Sequence, residues 1–247
     1  MFSVALIGPD GAGKTTVCQA LARQLPVPSR YVYMGINLEA SSLMLPWTWL
    51  YLQLKRARGK RPDLSGPQDP ARIATPPRGL VRRLAAGSKA ALRLANQLAE
   101  EWFRQCVVWG YQRRGYVVLF DRHYLLDYYA SDVAPAAGHR PLHRRIHGFI
   151  LRRLYPRPDV TVYLDAPADV LLARKGEGTL EYLERKRAEL SSLENILQRF
   201  VRIDALQPVD DIVRQIGDVV CRDYDLRRRG AAGPDARCGA GGVRQRG

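Results

Sequence analysis

Cysteine is scarce in this chain. Among 247 residues there are four, Cys18, Cys106, Cys221 and Cys238, widely separated and without a C-x-x-C pair. That spacing argues against both a zinc site and a disulfide framework, and it predicts a reduced, cytoplasmic setting. Lysine is scarce too: six of the thirty-nine basic residues are lysine and the rest are arginine. Acid is in deficit, with twenty-four Asp and Glu and a formal net charge of +15. An Arg-rich surplus favours polyanions such as nucleotides, nucleic acid or lipid headgroups, although a composition skewed to Arg, Ala and Gly produces the same excess. No apolar run approaches the roughly 20 residues that span a bilayer. The chain begins directly on an apolar run with no basic leader, so no signal peptide is expected. Neither an RNA- nor a DNA-binding motif is present, and no specific nucleic-acid partner is expected.

What is present alternates. Strand-like apolar runs at 2–7, 31–34, 116–120, 160–164 and 200–203 are separated by helical patterns at 14–24, 92–113 and 210–220. Such alternation predicts an α/β fold with a central parallel five-stranded sheet flanked by helices, whose ligands bind at the carboxyl ends of the strands. One domain over 1–224 accounts for this pattern. Residues 40–93 are expected to form a basic insertion, partly helical and partly mobile; within it, 52–93 carry eleven basic and two acidic residues. The Gly-, Ala- and Arg-rich stretch 225–247 is expected to be a disordered basic tail.

The first strand runs into Gly8-Pro9-Asp10-Gly11-Ala12-Gly13-Lys14-Thr15-Thr16, which matches G-x-x-x-x-G-K-[ST]. In such a loop, glycines let backbone N–H groups curl around a phosphate and the following helix adds its positive dipole end. Lys14 then reaches the β- and γ-phosphates of ATP, and the Thr15 hydroxyl ligates Mg²⁺. The third strand ends on Asp121-Arg122-His123. An acid at that strand tip can hold Mg²⁺ directly or through water, or orient an attacking oxygen, and Arg122 can grip an acceptor phosphate. The other readings of these residues are a glycine turn, nucleotide binding without catalysis, and a strand-end salt bridge.

Taken in order, these motifs resemble those of the thymidylate kinase group of nucleoside monophosphate kinases. Asp121-Arg122-His123 is similar to the family's Asp-Arg-Tyr or Asp-Arg-His signature. Asp10 matches an acidic loop residue, and Tyr163-Leu164-Asp165-Ala166-Pro167 resembles the strand leading to the lid. Ile203-Asp204-Ala205-Leu206-Gln207-Pro208-Val209 resembles the last strand and the turn beside the adenine. The resemblance covers residues 2–25 and about 96–220. It implies a P-loop kinase fold with a lid near 172–192, in which Arg174 faces ATP beside Lys175, and Arg185, Lys186 and Arg187 are further cationic candidates. It implies ATP and Mg²⁺ as cofactors, with Lys14, Asp121, Arg122 and Arg174 as catalytic residues, Gly8, Asp10–Thr16, Arg174 and Lys175 around the nucleotide, and Thr15 and Asp121 on the metal. The expected reaction moves the γ-phosphate of ATP to a phosphorylated small-molecule acceptor.

The acceptor side departs from the family pattern. Met34-Gly35-Ile36-Asn37-Leu38-Glu39 stands where an Arg-Glu-Pro-Gly-Gly type stretch is usual, and Tyr129-Ala130-Ser131 stands where a Tyr-Gln pair is usual. The family's helical arginine has no clear equivalent: Arg104 is a turn displaced, and Glu100 and Glu101 sit nearer its place. A nucleoside monophosphate, another nucleotide and a phosphorylated non-nucleotide all remain open. So do a non-catalytic nucleotide switch and a kinase working at a membrane surface on a sugar or lipid precursor. Partners expected beyond ATP and the acceptor are a second copy in a homodimer and a weak contact with an anionic membrane. The aromatic stretch with Trp47, Trp49 and Tyr51, followed by Lys55, Arg56 and Arg58, reads as core packing or pocket wall beside a solvated basic face, or else as that membrane contact. His139, His143 and His147 recur every four residues and read as a polar helical surface.

Overall fold

The computed structural model describes residues 2–35, 43–59, 80–135, 140–176 and 178–231. Five strands, β1 (Ser3–Ile7), β2 (Ser29–Tyr33), β3 (Val117–Asp121), β4 (Val160–Asp165) and β5 (Phe200–Asp204), form one sheet in the order β2-β3-β1-β4-β5. Every pairing is parallel. The helices are α1 (Lys14–Gln24), α2 (Pro46–Ala57), α3 (Leu80–Arg113), α4 (Tyr124–Asp127), α5 (Leu142–Arg153), α6 (Ala168–Lys175), α7 (Leu180–Ser191) and α8 (Val209–Ala231), with a π-helical turn at Tyr129–Val133.

Both faces of the sheet are covered, which is why its central strands read as continuous apolar runs rather than alternating ones. On one face Val4, Leu6, Val117, Leu119, Val160 and Val162 pack under α1, α6 and α8. On the other, Ala5, Ile7, Val118, Phe120 and Tyr163 pack under α3, α4 and α5. The order places β1 between β3 and β4, with Leu6 paired to Asp121 and Ile7 to Tyr163. The loop leaving β1 and the acid ending β3 therefore emerge side by side.

Two helices extend beyond their sequence-based limits. α3 starts twelve residues before the expected 92, inside the basic insertion, of which 60–79 lie outside the described residues. α8 runs to Ala231, so the first seven residues of the expected disordered tail are helical. Its last turns are anchored: Arg227 donates to Asp159 Oδ1 at 2.7 Å and its guanidinium lies 5.0 Å from the centre of the Phe2 ring. The rest of that tail, 232–247, lies outside the described residues.

Candidate functional site

The Gly8–Thr16 loop is held in shape by close packing and by left-handed glycines. Gly8 lies so close to β4 that a Cβ there would sit 2.7 Å from the Leu164 carbonyl oxygen. Gly11, at φ 91°, would put a Cβ 2.8 Å from the Leu171 carbonyl oxygen of α6. Gly13, at φ 82°, caps α1 in the left-handed region that L side chains disfavour. Ala12 is buried, whereas Gly13, Thr15 and Thr16 are exposed at the mouth. The first-turn N–H groups of α1 lack partners within their helix and carry its positive dipole end.

Lys14 lies buried beneath the loop. Its Nζ donates to the carbonyl oxygens of Gly8 and Pro9 at 2.8 and 2.7 Å and stands 3.7 Å from Asp10 Oδ1. Burial, and then the neighbouring Arg122 guanidinium, bring its ammonium down to about 8. Asp10 is the hub of three cations: Arg122 Nη2 donates to its Oδ1 at 2.7 Å, and Lys14 and Lys175 Nζ stand 3.7 and 3.9 Å from the same oxygen. Burial pushes the Asp10 carboxyl upward, but the three cations outweigh it and hold it below the usual range. The carboxylate occupies the middle of a positive cluster, as an anionic ligand would.

Asp121 ends β3 fully buried. Its Oδ2 accepts from the Thr15 hydroxyl at 2.6 Å and from the Tyr31 hydroxyl at 3.0 Å. Its Oδ1 is buried without a hydrogen-bond partner. A carboxylate oxygen left bare inside a protein is costly unless something else completes it. A hydroxyl at the start of α1 and a bare carboxylate oxygen fit Mg²⁺, which keeps several waters and takes the remainder of its shell from phosphate oxygens. Among the described residues there is no cluster of three or more His, Cys, Asp or Glu able to hold a metal alone, and a phosphate-assisted site does not need one.

Arg122 is the one non-glycine residue with positive φ among those described, at 71°. Such a conformation costs roughly 1–2 kcal/mol in an arginine. It turns the chain from β3 into α4 while aiming the guanidinium at Asp10. His123, next in sequence, turns the other way into an aromatic nest of Phe120 and Tyr155, and burial pushes its imidazole down to about 3.

Of the sequence-derived site residues, Gly8, Asp10, Gly11, Ala12, Gly13, Lys14, Thr15, Thr16, Asp121, Arg122 and Lys175 converge on this corner. Arg174 makes its contact apart from the Lys14–Asp121 corner: its Nη1 donates to the Ala205 carbonyl at 3.1 Å, in the turn between β5 and α8 that the resemblance sets beside the adenine. From α7, Arg187 bonds Asp165 at 2.9 Å, Lys186 bonds Glu189 at 3.3 Å, and Arg185 lies over the Tyr182 ring. Arg104 is fully buried, donates to the Tyr124 hydroxyl and the Leu43 carbonyl, and pairs with Glu100 at 3.3 Å, so it holds α3 in place rather than lining the site.

Two participants escaped the sequence reading. Tyr31 bonds Asp121 from the neighbouring strand, and only the β2–β3 register reveals it. Asp127 ends α4 facing the same cations: burial raises its carboxyl, opposed by Arg122, Lys186 and Lys14. The histidine reading also changes. His139 lies outside the described residues, and His147 is no surface group: it is buried, with Nδ1 2.6 Å from Asp132 Oδ2 and Nε2 3.0 Å from Glu101 Oε1. Those two carboxylates outweigh its burial and raise it to about 9. Among the described residues no helix is long and apolar enough to cross a membrane. No protein-family model matches the chain, and no curated protein matches it.

Proposed function

We propose that this protein is an ATP-dependent phosphotransferase with a P-loop kinase fold, similar to nucleoside monophosphate kinases, that transfers a γ-phosphate to a phosphorylated small-molecule acceptor. The observation that carries this reading is the meeting of the Thr15 hydroxyl with Asp121 at 2.6 Å, beside a buried Lys14 and a bare Asp121 Oδ1. A plain glycine turn gives no reason for a carboxylate with an unfilled coordination position at its mouth.

Phosphoryl transfer depends on in-line positioning and on offsetting negative charge, more than on covalent chemistry by the protein. When bound, Mg²⁺ supplies charge neutralisation between the phosphates, and Thr15 and Asp121 would hold it. Lys14 offers its ammonium to the β- and γ-phosphates, exchanging the Gly8 and Pro9 carbonyls for stronger charge-assisted bonds. Arg122 and Lys175 already converge on the Asp10 carboxylate, and a phosphoryl group would compete for them. Asp127, whose carboxyl burial raises against the pull of Arg122, Lys186 and Lys14, can fix the orientation of the acceptor.

The test is ADP release measured with Mg-ATP and a panel of nucleoside and deoxynucleoside monophosphates. Release that requires one acceptor supports the reading. Tight Mg-ATP binding without ADP release on any acceptor would turn it into a nucleotide-dependent switch.

A further inference from the structure

Outside the loop, α2 and α5 leave large apolar side chains in solvent. α2 buries Thr48 and Leu52, and the Trp47 Nε1 and Thr48 Oγ1 donate to Asn96 Oδ1 of α3 at 2.7 and 3.2 Å. Beginning at Trp47, whose indole N–H is tied to α3, Trp47, Leu50, Tyr51 and Leu54 recur at i, i+3, i+4 and i+7. That spacing makes one continuous stripe, and each of the four is at least half exposed, as is Trp49. The core-packing reading of this segment therefore does not hold for these side chains. α5 repeats the arrangement: His147, Gly148 and Leu151 face inward, while Leu142, Ile146 and Phe149 are exposed.

The two helices flank the same part of α3. Trp47 and Leu45 bond Asn96 and Glu100, and His147 bonds Gln97 and Glu101. Those are adjacent rows of one helix, about 100° apart. Leu92, one turn earlier on α3, is exposed as well. Charge is just as one-sided. Segments 43–59, 85–99 and 140–158 contain eleven Lys and Arg and not one Asp or Glu, in a chain whose net charge is +15.

We propose that the α2–α3–α5 surface docks on an anionic phospholipid bilayer. Exposed Trp, Tyr and Leu beside Lys and Arg is the composition of helices that lie in the membrane interface, with apolar side chains among acyl chains and cations on headgroups. A second copy of the chain fits the surface poorly, because pairing it with itself brings two acid-free basic faces together. Nucleic acid would use the cations but gains nothing from exposed Leu50, Leu54, Leu142 and Ile146.

The test is co-sedimentation of the full chain with vesicles of phosphatidylcholine alone and of phosphatidylcholine with phosphatidylglycerol. The result expected is binding to the anionic vesicles only, weakened by added salt, and accompanied by a blue shift of tryptophan emission. Leu50→Ser with Leu54→Ser, and separately Ile146→Ser with Phe149→Ser, should each lower partitioning about tenfold while leaving far-UV circular dichroism unchanged. Leu50, Leu54 and Phe149 are at least half exposed and Ile146 is 42 % exposed, and the circular dichroism spectrum separates lost binding from lost fold. No binding to anionic vesicles overturns the proposal, and so does unchanged binding by both folded variants. Retention on duplex DNA without vesicle binding, or a dimer in solution abolished by the same substitutions, would also overturn it by assigning the surface to another partner.

Discussion

Replacing Asp121 by Asn separates a functional carboxylate from a structural one. No ion pair to Asp121 occurs among the described residues; its partners are two hydroxyls, those of Thr15 and Tyr31, both on Oδ2. An asparagine oxygen can accept both. The two bonds weaken as the acceptor loses its charge, by about 0.5–1 kcal/mol each. Removing the buried charge recovers its desolvation, about 1–3 kcal/mol, but the amide N–H₂ that replaces Oδ1 is left without an acceptor at a similar cost. The weakened hydroxyl bonds then remain, and the ligand-free variant should unfold within about 2 kcal/mol of the parent. If Asp121 were one half of a buried structural pair, its loss would cost about 3–5 kcal/mol. The ligand response moves the other way. A ligand at a hundredfold its Kd stabilises by about 2.7 kcal/mol, and the Mg²⁺-dependent part of that gain should vanish in Asp121→Asn. Urea unfolding with and without Mg-ATP reads both quantities. A variant that loses several kcal/mol when ligand-free, yet keeps the full Mg-ATP response, would refute the assignment.

Other outcomes follow from the same geometry. Lys14 in the free protein titrates near 8, below its ordinary 10.5, so Mg-ATP affinity should fall as pH rises through about 8 and binding there should take up a proton; affinity that stays flat from pH 7 to 9.5 would contradict this. His147 titrates near 9 against an ordinary 6.5. Its contribution, about 3 kcal/mol, is therefore complete below pH 6.5 and lost as pH rises through 9, and urea unfolding at pH 6 and 9.5 should show the loss. Gly11→Ala should destabilise more than Gly13→Ala, since both have positive φ but only Gly11 would also drive a Cβ into the Leu171 carbonyl; equal melting shifts would argue that loop packing against α6 is unimportant.

Local periodicity and punctuation carried most of the fold. The five apolar runs become the five strands with ends moved by one or two residues, and α1 begins and ends where the sequence placed it, because glycine at 13 stops the loop and the apolar spacing starts at once. The Lys14–Thr15–Asp121 corner was legible for the same reason: the loop leaving β1 leads into Lys14 and Thr15, Asp121 ends β3, and a parallel sheet brings such strand ends to one edge. What was not legible depends on pairs distant in sequence. Tyr31 reaches Asp121 across 90 positions, and Glu101, Asp132 and His147 meet from three separate elements. A row of histidines among arginines looks solvated until two acids from elsewhere are seen around His147. The early start of α3 was hidden because 80–91 is rich in Ala, Arg and Leu without breaking the basic composition of the segment before it. Arg174 was placed by resemblance, and its bond to Ala205 sets it at the turn after β5, the turn the same resemblance puts beside the adenine.

The central claim is that the Gly8–Thr16 loop, with Lys14 and Asp121, grips the tail of a magnesium-bound triphosphate. Calorimetric titration of Mg-ATP into the full chain and into folded Lys14→Met tests it most directly. Saturable binding at one site in the parent, weakened about a hundredfold by Lys14→Met, is the result predicted. No heat of binding in the parent, or equal affinity in both proteins, would contradict it.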